Sequence, residues 1–190
     1  MSPQEAKKAI DYAFDVAATG AGASFIVKFC NPLPISDAIS QVVTMKVISD
    51  DIASIYGYKG LPGLTTFTGK LLGAGGGVKL ASEFIMPLPL LGIGVSTIAA
   101  FGIQVSASIV FIIIFELRQK GSVPDDYMKT ASPSDIVYLL RLSVEVIGDV
   151  LRGKDRVEAV SAAVEKFQNA VSNSILPESN LELLAEEPAN

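Results

Sequence analysis

The longest uncharged run of the chain extends over residues 84–115, between Glu83 and Glu116. From Leu90 to Phe115 no proline interrupts it, and about 26 helical residues would measure roughly 39 Å at about 1.5 Å per residue. A bilayer core needs only about 20 apolar residues. The pattern therefore predicts a central long hydrophobic helix, or a helical hairpin that bends near Gly102.

Apolar residues on both sides of this run recur every three or four positions, which is typical of amphipathic helices. No period-two alternation competes with this pattern, so the predicted fold class is all-α, a helical bundle of about six to seven helices. The apolar face of the second helix is predicted to include Met45, Val47, Ile48 and Ile52. The predicted boundaries are a start at Ser36 or Asp37, an end at Gly57, a helix over Thr65–Leu72, and further starts at Ser132 or Ser134 and at Asp155.

The length of 190 residues suits a single helical domain, predicted over 1–176, followed by an acidic tail at 177–190. The net charge is −5 and there is no basic run, so the sequence predicts no nucleic-acid partner. The adjacent Asp50 and Asp51 would point about 100° apart on a helix and are interpreted as a solvated face.

The chain contains no histidine and a single cysteine, Cys30, which is interpreted as a buried thiol. Without histidine, the commonest metal ligand and the commonest neutral-pH base are missing. We therefore predict no catalytic residues, no metal, no cofactor and no enzymatic activity.

A glycine-rich segment from Gly63 to Leu71 resembles a phosphate-binding loop, but its spacing is wrong. Five residues separate Gly63 from Gly69, where the motif needs four, and Leu71 stands where a hydroxyl should follow Lys70. The sequence therefore favours a packing role for this segment over nucleotide binding.

The uncharged run predicts contact with a lipid bilayer, although a core helix buried in protein is the competing interpretation. Small residues along the run also favour homo-oligomers through close helix packing. Lysines and arginines number 7 before the run and 8 after it, which favours a hairpin but leaves a single span open. No secretory signal is visible, so insertion is predicted from the cytoplasmic side. The predicted membrane-contact residues are Leu91, Val95, Ile98, Phe101, Val105, Ile109, Phe111, Ile112, Ile113 and Phe115.

Two short patterns in the chain are similar to the signature of a known family. The first is a proline turn, an acid and a glutamine–methionine helix that closes in Ile-Tyr-Gly, and the second is a later proline–glycine turn. The residues that carry the two patterns are Pro32, Pro34, Asp37, Gln41, Met45, Tyr56, Gly57, Pro87, Gly92 and Gly94. With these motifs the chain resembles the YcjF-type helical, membrane-associated domain of unknown function, which accompanies Era-like and dynamin-like GTPases. The resemblance covers about residues 25–118, and it implies a membrane-associated helical module with a separate GTPase partner.

The sequence thus predicts a non-enzymatic, membrane-associated helical module that anchors or regulates a partner. One alternative is a colicin-like pore-forming protein, in which amphipathic helices enclose an uncharged hairpin until it inserts. Another is a soluble helical domain that binds a lipid or another apolar ligand.

Overall fold

A computed structural model describes residue 4 and residues 6–15, 34–59, 63–73 and 95–172 of the chain. Within α2 and α4 the side chains are described from Met45 and Gln104 onward. All regular structure in these ranges is helical, which confirms the all-α fold class. The helices are α1 (residues 6–15), α2 (Pro34–Ile55), α3 (Leu64–Gly73), α4 (Val95–Gln119), α5 (Tyr127–Thr130), α6 (Pro133–Leu151) and α7 (Arg156–Ser172). Residues 84–94, Cys30 and the predicted acidic tail at 177–190 lie outside the described residues.

Helices α6 and α7 begin at caps that the sequence predicts. Ser132 and Asp135 form a capping box, in which the Ser132 hydroxyl accepts from Asp135 N at 3.1 Å and the Asp135 carboxylate accepts from Ser132 N at 2.9 Å. Asp155 Oδ1 accepts from the amides of Val157 and Glu158 at 2.9 and 3.1 Å. The start predicted at Ser132 or Ser134 is therefore at Ser132, and the start predicted at Asp155 is confirmed.

The predicted start of α2 at Ser36 or Asp37 is wrong, because the helix already begins at Pro34. Proline is compatible with the first helical position, since the amide it lacks has no partner within the helix there. Asp37 consequently lies within the first turns of α2 instead of in front of them.

Three helices end in the same hydrogen-bonded turn, the Schellman motif, with a glycine of positive φ. At the end of α2, Gly57 N donates to Ser54 O at 3.0 Å and Tyr58 N donates to Ala53 O at 2.8 Å. The predicted end at Gly57 is confirmed. The turns at Gly121 after α4 and at Gly153 after α6 contain the equivalent pairs of bonds. Short connections therefore join α4 to α5 and α6 to α7.

Helix α4 packs against α2, α6 and α7, and α6 also packs against α7. Seven consecutive residues, from Ile109 to Phe115, have at most 1% of their surface exposed. Since successive helical residues point about 100° apart, seven of them cover every face of the helix. This part of α4 is therefore enclosed by protein on all sides.

Helix α4 runs without interruption through Gly102, so the bend predicted at that residue is wrong. It also continues beyond Glu116 to Gln119. One glycine weakens a helix by only about 1 kcal/mol, which packing elsewhere along the helix offsets.

The amphipathic helices bury the faces that their spacing predicts, with one exception. Met45, Ile48 and Ile52 of α2 are buried, but Val47 is 51% exposed. Val47 is two residues from Met45, about 200° around the helix, and so points away from the core. The corresponding buried residues of the last two helices are Ile136, Leu139, Leu140, Leu142 and Val146 in α6, and Val160, Val164 and Phe167 in α7.

Side chains of helix α1 contact two other helices, α2 and α7, although the polar face of α1 is exposed. The Tyr12 hydroxyl donates to the Asp51 carboxylate of α2. On the other side Arg156 of α7 lies 3.4 Å from Asp11 Oδ1, and its guanidinium stands 4.7 Å from the centre of the Phe14 ring. These contacts bring the first and last described helices together.

Candidate functional site

The ten predicted membrane-contact residues lie in three different situations. Leu91 is outside the described residues, and Val95, Ile98 and Phe101 lie on α4 in the part whose side chains are not described. The other six are buried in protein with no exposed surface: Val105, Ile109, Phe111, Ile112, Ile113 and Phe115. In this conformation these six side chains contact protein, and their contact with lipid stays a prediction.

The residues that carry the family resemblance are only partly described. Pro32, Pro87, Gly92 and Gly94 are outside the described ranges, and Pro34, Asp37 and Gln41 lie on α2 without described side chains. Met45 and Tyr56 are buried, and Gly57 has a φ of 77°. The described part of the Ile-Tyr-Gly pattern therefore has a structural role, as the end of α2.

Polar side chains connect this turn to the first charged residues after the uncharged run. The Tyr56 hydroxyl donates to Glu116 Oε1 at 2.9 Å, and Gln119 Nε2 donates to Tyr56 O at 3.4 Å. Arg118 lies 4.5 Å from the centre of the Tyr58 ring. The end of α2 is thus held against the end of α4. The sequence predicts where each of these segments ends, but it contains no signal that the two ends meet.

An aromatic cluster lies beside these polar contacts, where α2 and α4 meet. The Phe115 ring is 5.5 Å from both Tyr56 and Tyr58 and 6.4 Å from Phe111, centre to centre, and Phe67 of α3 is 5.9 Å from Phe111. These separations are those of favourable aromatic pairs. The end of α4 is consequently the point at which α2, α3 and α4 are packed together.

The buried polar side chains of the core are nearly all satisfied within their own helices. The hydroxyls of Ser49, Thr68, Ser108 and Ser143 donate to carbonyl oxygens three or four residues earlier, at 2.7–2.9 Å. Gln104 is the exception on α4: it is 1% exposed, and among the described residues neither its amide nitrogen nor its amide oxygen has a hydrogen-bond partner. A buried side-chain amide normally has at least one such partner.

The Tyr127 hydroxyl is also buried, and it lies near the carboxylate of Asp135. Burial, together with the negative charge of Asp135, raises the pKa of Tyr127 above its ordinary value. The phenol therefore stays protonated and packs its ring edge-on against Phe167 at 6.3 Å.

Asp50 and Asp51 are both exposed, and they point to different partners. Lys46 Nζ is 2.7 Å from Asp50 Oδ2, one turn away, while Asp51 accepts from Tyr12 of α1. Burial, and then the bond and charge of Asp51, raise the pKa of Tyr12, so Tyr12 remains the donor at neutral pH. The two carboxylates do not converge, which agrees with the interpretation that they form no acid–base pair.

Gly63 and Lys70 of the glycine-rich segment both contact the end of α5. Lys70 Nζ donates to Lys129 O at 2.9 Å and to Ala131 O at 3.0 Å. Gly63 has a φ of 91°, and a Cβ there would lie 2.5 Å from Lys129 Cγ. Lys70 is thus bound to backbone carbonyls at the end of a helix, and Gly63 permits a close approach.

We expect the chain to show no saturable binding of ATP or GTP, because Lys70 is held by carbonyl oxygens and no hydroxyl follows it. Titration calorimetry measures this directly. Lys70→Ala should lower the free energy of unfolding by about 1 kcal/mol, whereas Lys120→Ala, at an exposed position after α4, should not change it. Nucleotide binding that Lys70→Ala abolishes would show that the segment is a phosphate site.

Among the described residues no group of three or more side chains could hold a metal ion. None of the described helices is both long enough and apolar enough to cross a membrane. No family model, no curated protein and no solved structure matches this chain.

Proposed function

We propose that this protein is a non-enzymatic helical module that associates with membranes through its uncharged run, residues 84–115, and anchors or regulates a protein partner. In this proposal the bundle is built around a central hydrophobic helix, α4. Association takes place from the cytoplasmic side and depends on apolar contact, because a chain of net charge −5 without a basic run has no electrostatic attraction to anionic lipid.

The uncharged residues that precede the enclosed part of α4 are the observation that carries the proposal. Residues 104–115 have no charge and are buried almost completely between α2, α6 and α7. The described core therefore accounts for the last third of the uncharged run. The 20 residues before it, 84–103, are equally free of charge, and we propose that they provide the affinity for lipid.

The proposed partner is a separate GTPase, and this part of the proposal rests on the resemblance alone. No nucleic acid is proposed as a partner, given the acidic charge balance. The exposed side chains of Val47 on α2 and Leu151 on α6 are apolar surface that a protein partner could cover.

A second candidate function, pore formation, is favoured by the burial of residues 104–115 within the bundle. Amphipathic helices that surround an uncharged helix are the arrangement expected of a pore-forming protein before insertion. The two functions differ in their effect on a bilayer: an anchoring module binds without permeabilising it, whereas a pore former releases the contents of vesicles.

The test is co-sedimentation with neutral phosphatidylcholine vesicles loaded with a dye. We expect the protein to bind, to stay bound in high salt and to retain the dye. Ile98→Arg, within the uncharged run, should weaken binding by roughly 2.5–3.5 kcal/mol. Leu151→Arg introduces the same charge at a 60% exposed position of α6 and should leave binding unchanged.

Protein that stays in the supernatant, or that high salt removes from the vesicles, would contradict membrane association by apolar contact. Dye release by the native chain would favour pore formation over anchoring. Circular dichroism of both variants establishes that they are folded before their binding is compared.

A further inference from the structure

Both polar atoms of the Gln104 amide are buried in the enclosed bundle without a hydrogen bond to any described residue. Gln104 is 1% exposed, so it has lost its hydrogen bonds to water, and no atom of the described residues replaces them. An unsatisfied buried amide destabilises the conformation that contains it. The enclosed arrangement is therefore less stable than the same packing with an apolar side chain at this position.

The hydroxyl protons of two buried serines, Ser108 and Ser143, are not available to the amide oxygen of Gln104. Ser108 lies one turn further along α4, and its Oγ donates to the backbone carbonyl of Gln104 at 2.7 Å. The buried Ser143 of α6 likewise donates to its own helix, to Leu140 O. Among the described residues neither the donor nor the acceptor of the Gln104 amide is used.

A side-chain amide is both a donor and an acceptor, so two identical amides can satisfy one another. Val105 follows Gln104, and after it come Ser106, Ala107 and Ser108, whose small side chains would let a second helix approach α4 closely. In lipid, where water is absent, a glutamine within an apolar helix gains its hydrogen bonds from another helix.

We propose that the enclosed bundle is one of two states of this protein, and that in the membrane-bound state Gln104 pairs with Gln104 of a second copy. The inference rests on the proposed membrane association. The unsatisfied amide then disfavours the enclosed monomer and favours the associated form, so a single residue biases the equilibrium between them.

The test uses Gln104→Leu, which keeps the approximate volume and removes both polar atoms. In detergent-free buffer the variant should melt about 2–4 °C higher than the native chain, the shift expected from removing one unsatisfied group in a domain of this size. On neutral phosphatidylcholine vesicles its self-association should be roughly tenfold weaker. Energy transfer between separately labelled copies measures that association.

Two further variants make the result specific to the amide at this position. Gln104→Asn keeps an amide and should restore most of the association. Gln168→Leu makes the same chemical change on α7, at a partly exposed position, and should move neither the melting temperature nor the association.

A lower melting temperature for Gln104→Leu would overturn the proposal, since it would mean that Gln104 has a partner, such as a buried water, in the enclosed state. Native protein that binds vesicles as a monomer would overturn the pairing and leave the proposed function intact. Native protein that does not bind vesicles at all would overturn both.

Discussion

Ile109→Arg is expected to remove a large part of the folding free energy of this protein in detergent-free solution. Ile109 has no exposed surface and lies in the part of α4 that protein encloses on every face. No acidic side chain lies among residues 104–115, so an arginine there would be a buried charge without a partner on its own helix. Such a charge costs about 3–5 kcal/mol, against a typical stability of about 5–15 kcal/mol.

Val47→Arg is the matched control, because it places the same side chain at a β-branched, half-exposed position of α2. Its free energy of unfolding should stay within about 0.5 kcal/mol of the native value. Urea denaturation followed by circular dichroism measures both variants. A folded, stable Ile109→Arg protein in the absence of detergent would show that Ile109 faces lipid or solvent instead of the core.

Phe115→Ala should lower the free energy of unfolding by about 3–5 kcal/mol. The Phe115 ring is fully buried and lies within 5.5 Å of both Tyr56 and Tyr58, so its removal leaves a cavity where α2 and α4 meet. The ring contacts of Phe115 with these two tyrosines are lost together with its buried apolar surface.

The control variant for Phe115→Ala is Phe14→Ala. It truncates a partly buried ring of α1 that packs against Arg156. We expect this second change to cost clearly less, about 1–2 kcal/mol, because the site is open to water. Chemical denaturation gives both values. Equal losses in the two variants would mean that the aromatic cluster at the end of α4 contributes no more than an ordinary surface contact.

Local signals in the sequence predicted the helix ends well. Ser132 with Asp135, Asp155 and Gly57 each satisfy backbone groups within two to five residues, so their effect depends on neighbours that the sequence itself shows. The start of α2 was misplaced because Pro34 can either stop one helix or open the next.

Contacts between distant parts of the chain could not be predicted in the same way. Nothing within a few residues of Lys70 indicates that it binds carbonyls 59 and 61 residues further on, or that Tyr56 meets Glu116. The enclosure of residues 109–115 also depends on α2, α6 and α7 arriving at the same place. A run that is apolar all round is compatible with lipid and with a protein core alike, and only the packing of those helices distinguishes them.

The contact of Arg156 with Asp11 joins residues 145 positions apart, and this separation has a consequence for the order of folding. A chain made from its N-terminus has α1 available long before α7 exists. The contact between α1 and α7 therefore cannot form until α7 has been synthesised, whereas Asp51 of α2 is available to α1 before then. Of the described helices, the one that is synthesised first is in this respect among the last to be fixed in place.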